Sequence, residues 1–279
     1  MTTSIAAWRY QAIKKIKNFS DTAEFEINAI LSKVLQKDFA WCLANSEIEL
    51  NSNALSQLEE MENELIHETP LAYILGHTEF FGNKFFVDPS VLIPRPETEI
   101  MVEMTIEWLG EHSDSKRVVD VGTGSGAILI SVLKRFPHCF GYGIDISRKA
   151  LMIAKKNAIY HQKNDVSLVQ MDCLSGVDAQ FDVILANLPY IPQHIVSDLR
   201  VSKFEPILAL DGGLDGTTII FKLLEQIKSR LAKPGLSILE IQFDQATIMV
   251  EKTKQIFPEG NIMIVKDLAG LDRFIKIEV

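Results

Sequence analysis

Three closely spaced glycines stand where the sequence could bind a nucleotide. Residues 118–127 are Val-Val-Asp-Val-Gly-Thr-Gly-Ser-Gly-Ala, an apolar run followed by glycines and then by a helical pattern. At the carboxyl end of a strand, Gly122, Gly124 and Gly126 would let the backbone turn sharply and let a ligand approach the amides of the helix N-terminus. The segment predicts a nucleotide site. Because Gly122, Gly124 and Ala127 also fit a dinucleotide pattern, hydride transfer stays an alternative here, as does a purely structural turn.

Acidic residues follow the next two apolar runs. Asp145 ends a strand-like segment 19 residues after Gly126, and a carboxylate there can accept hydrogen bonds from both ribose hydroxyls. The alternative role for Asp145 is an N-cap of the helix that starts near Ser147. Asp172 and Cys173 follow the third strand candidate, where a carboxylate or carbonyl could accept the exocyclic amine of adenine; an ordinary loop is the alternative. Cys173 has no adjacent His or cationic residue, so no nucleophilic role is predicted for it.

A polar and aromatic tetrapeptide separates methyl transfer from hydride transfer. The strand-like residues 181–186 lead into Asn187, Leu188, Pro189 and Tyr190. An amide or arylamine nitrogen is a weak nucleophile because its lone pair is delocalised, and a pair of acceptors that bind both N–H groups would orient it. The side-chain oxygen of Asn187 and the carbonyl of Leu188 could form that pair, while Tyr190 could wall the plane of the target. The alternative is a turn that ends the strand.

The elements that must position these residues alternate between strand and helix after residue 97. The predicted strands cover residues 117–121, 140–144, 167–170, 181–186, 237–241, 262–265 and 274–279. Alternation with helical segments indicates an α/β fold with a doubly wound, mainly parallel sheet and a late antiparallel hairpin at its edge.

The first third of the chain has a helical pattern. Apolar residues recur at helical spacing in residues 5–16 and 25–35, and Asp21 with Glu24 forms a capping-box pattern ahead of the second stretch. The acid-free first 20 residues also resemble a transit peptide, but no apolar segment follows them. We predict a small helical bundle over residues 1–72, a β-hairpin linker over residues 73–96 and a catalytic domain over residues 97–279.

Composition excludes several classes of protein. The 279 residues are 47% hydrophobic and 23% charged, which is ordinary globular usage. No apolar run approaches the roughly 18 residues that a membrane span needs. The three cysteines, Cys42, Cys139 and Cys173, are far apart, which argues against disulfides and fits a cytoplasmic location. The net charge of -9 disfavours direct nucleic-acid binding.

At this point the sequence resembles a known family. It is similar to class I S-adenosylmethionine-dependent methyltransferases, and within them to the HemK/PrmC protein-(glutamine-N5) methyltransferases of peptide chain release factors. The resemblance covers essentially the whole chain. It is carried by the glycine segment, Asp145, the Asn187 tetrapeptide and residues 70–76, 92–99, 204–206, 209–213, 239–241 and 266–273. Residues 92–99 joined to a helical N-terminal domain are more specific than the tetrapeptide, which DNA adenine methyltransferases share.

The resemblance implies a role for each motif. S-adenosylmethionine would be held by Gly122, Thr123, Gly124, Ser125, Gly126 and Asp145, with Asp172 and Cys173 flanking its adenine. The tetrapeptide would hold the glutamine of a Gly-Gly-Gln motif in a release factor, with Asn187 also close to the cofactor. The products would be N5-methylglutamine and S-adenosylhomocysteine. No metal is expected, because the sulfonium is already a good leaving group and the six histidines show no ligand-like spacing.

Three residues depart from the family pattern. Leu188 replaces a proline, Cys173 replaces a common aromatic residue and Gln242 replaces a usual glycine. Less adenine stacking, a looser loop at Leu188 and a less permissive backbone at Gln242 are expected. Methyl transfer to DNA or to another protein glutamine, and a non-catalytic cofactor-binding role motivated by Leu188, stay open alternatives. Oligomeric state is not predicted.

Overall fold

The protein is described here by a computed structural model that covers residues 3–112 and 115–279. The chain divides into two compact units between His77 and Thr78. The domain boundaries expected from sequence, and the roles attached to them, stay predictions.

The first unit is built mainly from helices. An antiparallel pair of two-residue strands, β1 and β2, joins its start to the segment before the fourth helix. The elements are β1 (Thr3–Ser4), α1 (Ile5–Ile16), α2 (Ala23–Leu35), α3 (Phe39–Ala44), β2 (Glu49–Leu50), α4 (Ser52–Ile66) and α5 (Leu71–Leu75). One face of α1 is buried in the unit's core through Ile5, Trp8, Ala12 and Ile16, which confirms the predicted first helix.

Two details of this unit differ from the sequence prediction. The capping box at Asp21 is wrong: Thr22 is the N-cap of α2 and makes no side-chain cap, while Glu24 pairs with Arg9 at 2.5 Å. A carboxylate held by an arginine on the preceding helix is not available to cap its own backbone. The chain beyond Pro70 also continues as α5, so the hairpin begins only at His77.

A β-hairpin opens the second unit, as predicted. It consists of β3 (His77–Phe80) and β4 (Asn83–Phe86). Phe81 and Gly82 form the two-residue turn, both with positive φ, the backbone that tight hairpin turns require. The side chain of Asn157, which is fully buried, ties this hairpin to the rest of the unit. It accepts from the Phe86 amide at 2.7 Å and donates to the carbonyls of Phe86 and Ser125.

The second unit is centred on a seven-stranded sheet with the order β10-β11-β9-β8-β5-β6-β7. The strands from β9 to β7 are parallel, while β11 and β10 are antiparallel. The elements are α6 (Glu99–Glu111), β5 (Arg117–Val121), α7 (Ala127–Arg135), β6 (Phe140–Asp145), α8 (Arg148–Tyr160), β7 (Ser167–Gln170), β8 (Phe181–Ala186), α9 (Gln193–Val196), α10 (Thr218–Arg230), β9 (Leu231–Glu240), α11 (Ala246–Ile256), β10 (Asn261–Lys266) and β11 (Asp272–Glu278). All seven predicted strands are confirmed; β9 starts earlier than predicted because Leu231 already pairs with Phe181.

Alternation along the strands divides the core between the two faces of the sheet. Val118 and Val183 pack in one apolar cluster, and Val119 and Ile184 in the other. Strands buried on both faces are typical of a doubly wound fold. The chain runs from β5 outward to β7 and then returns to β8 on the other side of β5. Ligands bind at such a reversal of strand order, outside the carboxyl ends of the strands.

The three hydrogen bonds of Asn157 predict a large effect of removing its amide. Asn157→Ala leaves the backbone groups of Phe86 and Ser125 buried without their partners, so we expect the free energy of unfolding to fall by about 2–3 kcal/mol. Urea denaturation checks this value. Asn164→Ala is the matched control, because Asn164 is exposed and lies about one turn beyond α8, the helix that contains Asn157. This change should alter the free energy of unfolding by less than about 0.5 kcal/mol. Equal effects of the two changes would contradict the assignment.

Candidate functional site

A cavity of about 400 Å³ lies in the second unit, lined by residues that follow β5, β6, β7 and β8. This volume is in the range of small-molecule sites. Most of the predicted site residues line it: Gly122, Thr123, Gly124, Ser125, Asp145, Asp172, Cys173, Asn187, Leu188 and Pro189. Gly126 and Tyr190 are not part of its wall.

The glycine segment turns sharply between β5 and α7. Gly122, Gly124 and Gly126 all have positive φ, a backbone that glycine adopts without strain. A Cβ on Gly122 would lie 2.8 Å from the Leu188 side chain, so this glycine also makes room for the neighbouring loop. A Cβ on Gly126 would instead press on Ile130 and Ala154. Gly126 therefore lets the start of α7 pack closely against Ala154 and is not itself part of the cavity wall.

Asp145 joins two loops at the edge of the cavity. Its carboxylate accepts from the amide of Gly124 at 2.9 Å and from that of Ser147 at 2.8 Å. Burial raises its pKa, against the lowering effect of these two bonds. The N-cap of α8 is Ser147, whose hydroxyl accepts from Ala150, so the alternative N-cap role of Asp145 is wrong. Each carboxylate oxygen keeps a lone pair for a further donor.

Asp172 and Cys173 follow β7 and line the cavity. Asp172 pairs with Lys222 of α10 at 2.5 Å, and this hydrogen bond lowers the pKa of Asp172. Burial, with the nearby charge of Asp172, raises the pKa of the Cys173 thiol to about 11. A thiol that stays protonated at neutral pH is not a nucleophile, in agreement with the sequence prediction. Lys222 also lines the cavity, although it belongs to no motif that would reveal it.

The tetrapeptide after β8 is held by hydrogen bonds to buried side chains. The amide nitrogen of Asn187 donates to the hydroxyl of Thr98 at 3.2 Å. The hydroxyl of Tyr190 donates to Glu240 at 3.3 Å, and the backbone carbonyl of Tyr190 accepts from the side chain of Gln245 at 3.0 Å. Tyr190 thus contacts Glu240 of β9, and its predicted role as a wall for the target plane stays a prediction.

Leu188 is buried and its side chain lies over Gly122. The expectation of a looser loop at this position rested on the missing proline ring alone. In the structure the leucine side chain belongs to the apolar cluster on one face of the sheet. The leucine side chain thus contributes packing that a proline ring would not, and the expected looser loop stays a prediction.

The sequence analysis assigned no individual role to two further residues, Glu205 and Thr98. Glu205 accepts from Arg95 at 2.6 Å and from the amide of Ile93, which holds the segment before α6 against the cavity. Thr98 donates to Glu240 at 2.7 Å. These residues lie in segments that carried the family resemblance, which was the one available signal. Gln242 has an extended backbone and closes a capping box with Gln245, so no glycine is needed there.

Comparisons with known proteins agree with this geometry. Residues 7–76 match the family model of the PrmC N-terminal domain, and residues 98–204 match that of the methyltransferase small domain. The release factor glutamine methyltransferase of Bacillus anthracis is 31% identical over 97% of this chain and 99% of its own length. That of Koribacter versatilis is 35% identical over 92% of each. The chain belongs to the release factor glutamine methyltransferase family.

Solved structures show the same fold at lower identity. A SAM-dependent methyltransferase from Agrobacterium tumefaciens aligns with a TM-score of 0.52 and 14% identity, over 72% of this chain and 69% of its own. The ribosomal protein L11 methylase of Lactobacillus delbrueckii subsp. bulgaricus aligns with a TM-score of 0.50 and 21% identity, over 72% and 87%. The second unit therefore has the class I methyltransferase fold. Among the described helices, none is long and apolar enough to cross a membrane.

Beneath the glycine segment lies Asp120, a fully buried carboxylate of β5. One oxygen accepts from the hydroxyl of Thr123 at 2.7 Å, while Oδ1 has no hydrogen-bond partner within residues 3–112 and 115–279. Burial raises the pKa of Asp120 to about 7, and the Thr123 hydrogen bond only partly offsets this effect.

Asp120 therefore predicts how stability depends on pH. Because its folded-state pKa lies above the unfolded value, it favours folding at low pH, and this contribution is lost as pH rises toward and through 7. Asp120→Asn should remove this loss. The free energy of unfolding of the variant minus that of the natural protein should therefore be about 1–3 kcal/mol larger at pH 8 than at pH 5. Urea denaturation at both values measures this difference. The exposed Asp165→Asn is the control, and a difference that does not change with pH would contradict the assignment.

Proposed function

We propose that this protein transfers a methyl group from S-adenosylmethionine to the side-chain amide nitrogen of the glutamine in the Gly-Gly-Gln motif of a peptide chain release factor. One observation carries the proposal. A single cavity joins the glycine segment and Asp145 to Asn187 and Leu188, in a chain whose curated relatives are release factor glutamine methyltransferases.

The groups around the glycine segment fit the proposed cofactor. The free lone pairs of Asp145 suit a vicinal diol such as that of a ribose. Beyond Asp145, the cavity wall continues to Asp172 and Cys173, where the adenine is expected from the family resemblance. When bound, S-adenosylmethionine supplies a methyl group on a positively charged sulfur and becomes S-adenosylhomocysteine.

The tetrapeptide would orient a target nitrogen that is weakly nucleophilic by itself. A glutamine amide nitrogen is a poor nucleophile because its lone pair is delocalised into the carbonyl. The Asn187 side-chain oxygen and the Leu188 carbonyl would hold both of its N–H groups and so orient its nitrogen for attack on the methyl group. The N–CH₃ bond would form as the S–CH₃ bond breaks, which leaves S-adenosylhomocysteine and a positively charged nitrogen. No strong base is needed before transfer, because this nitrogen is acidic and would lose one proton to solvent afterwards. Rate enhancement comes mainly from positioning.

Leucine at position 188 is compatible with this role. The acceptor is the backbone carbonyl, which leucine and proline share. The buried leucine side chain over Gly122 holds the loop in place of the ring. The departure from the family pattern therefore gives no reason to assign a non-catalytic function.

The helical first unit, with the hairpin, would bind the large protein substrate. With the net charge of -9, a protein partner is favoured over nucleic acid, and no membrane role is proposed. A release factor acts on ribosomes, so the cytoplasm is the proposed location. DNA, another protein glutamine and the absence of any transfer are the alternatives that the assay must distinguish.

A transfer assay with radiolabelled S-adenosylmethionine tests the proposal directly. The substrates are a release factor, the same factor with its Gly-Gly-Gln glutamine changed to alanine, and duplex DNA. We expect label only in the unchanged factor. Label in DNA, equal label in both factors, or no label in any substrate would each contradict the proposal in favour of one alternative.

Asn187→Ala in the same assay tests the positioning of the target. We expect turnover to fall about a hundredfold or more, because one of the two acceptors is lost, with cofactor affinity largely retained. Near-normal turnover would remove Asn187 from the mechanism.

Asp145→Ala tests the cofactor site independently of any protein substrate. Loss of the carboxylate leaves the ribose hydroxyls without acceptors, so S-adenosylmethionine should bind about 1–3 kcal/mol more weakly in calorimetry. Asp182→Asn is the matched control, because Asp182 pairs with Lys116 near the start of β8, at the opposite end of the strands. Unchanged affinity of Asp145→Ala, or preferential binding of NAD to the natural protein, would contradict the assignment.

A further inference from the structure

A chain of buried hydrogen bonds runs from Asn187 to Thr98, which also lines the cavity, and from Thr98 to Glu240, which does not. The Asn187 amide nitrogen donates to the Thr98 hydroxyl, and that hydroxyl donates to Glu240 at 2.7 Å. Thr98 and Glu240 are almost fully buried. The first lies at the start of α6 and the second at the end of β9, so segments distant in sequence meet at this point.

The direction of these bonds follows from the proton count of each group. A threonine hydroxyl has one proton, and an ionised carboxylate has none. Thr98 must therefore give its proton to Glu240 and can only accept from its other neighbour. Asn187 has to present its NH₂ end to Thr98, so its oxygen is the end left to accept from a ligand in the cavity that Asn187 lines. No described residue donates a hydrogen bond to that oxygen.

We propose that Thr98 and Glu240 are positioning residues that fix the orientation of the Asn187 amide, so that its oxygen is presented to the N–H groups of the target glutamine. This inference rests on the proposed function and deepens it. An asparagine amide can rotate by half a turn with almost no change in shape, and the rotated form would present NH₂ to NH₂. The carboxylate prevents this by setting the direction of the Thr98 hydroxyl.

The surroundings of Glu240 make the arrangement sensitive to pH. Its other oxygen accepts from Tyr190, and the charged groups that act on it are Arg273 and Glu97. Burial raises the pKa of Glu240 to about 7, opposed by the Thr98 hydrogen bond and by Arg273. Arg273 is also paired with Asp267 at 3.0 Å. A protonated Glu240 could donate to Thr98, whose own proton would then be free to point at Asn187 and favour the rotated amide.

Three variants test the role in catalysis. Thr98→Val keeps the shape but removes the hydroxyl, and kcat should fall about tenfold to a hundredfold while the Kd for S-adenosylmethionine is unchanged. Thr98→Ser should recover most of this loss. Thr105→Val is the control, because among the described residues that buried hydroxyl bonds only the Met101 carbonyl of its own helix. Equal kcat for Thr98→Val and Thr105→Val, or a serine variant as impaired as the valine variant, would overturn the inference.

The pH profile separates positioning from simple packing. In the natural protein kcat should fall as pH drops below about 7, in line with protonation of Glu240. Glu240→Gln should have a lower kcat at pH 8 and lack this acid limb. An acid limb that is unchanged in Glu240→Gln would overturn the inference.

A measurement without any substrate decides the orientation even if the proposed function fails. Nuclear Overhauser contacts between the Asn187 side-chain NH₂ protons and the Thr98 methyl group should be present at pH 8 and should weaken at pH 5.5. Their absence at pH 8 would overturn the inference. If the natural protein labels no release factor but shows these contacts, the proposed function fails and the orientation stands.

Discussion

The parallel register of four neighbouring strands is the constraint on which the site depends. Val121 of β5 is paired with Ile144 of β6 and with Ala186 of β8, which is paired in turn with Leu239 of β9. The next residue of each strand is therefore placed in one row across the sheet: Gly122, Asp145, Asn187 and Glu240. A shift of one residue in any pairing would turn side chains to the opposite face of the sheet and break the row.

The carboxyl ends of these strands are costly to maintain, because they place carboxylates where water is scarce. Asp120 and Glu240 both have raised pKa values caused mainly by burial. Burial of such groups in a core opposes folding unless hydrogen bonds compensate. Glu240 has the Thr98 and Tyr190 hydroxyls as donors, whereas Oδ1 of Asp120 has no partner within the described residues. Stability is therefore lost beneath the glycine segment, as expected where function and not packing determines the residue.

Much of this arrangement could be predicted from the sequence, because it depends on local patterns. Apolar runs predicted the seven strands. The glycines after β5 and the polar residues at the ends of β6 and β8 predicted one edge of the sheet as the site. The partners of those residues could not be predicted from spacing. Thr98 and Glu240 are 142 positions apart, and Lys222 reaches Asp172 from a helix without any motif. A capping box failed for the same reason, since Glu24 pairs with an arginine of another helix.

The departures from the family pattern show why a residue is best judged together with its neighbour. Proline at position 188 would restrain the loop through its own backbone, whereas leucine does so through a side chain placed over Gly122. That contact is possible only because position 122 has no Cβ: the leucine uses space that the turn after β5 already required. Gln242 is similar, because its extended backbone and its capping partner Gln245 make the freedom of glycine unnecessary. In both places the side chain present holds the backbone through its own contacts, and the acceptor carbonyl of Leu188, which the proposed chemistry requires, belongs to that backbone.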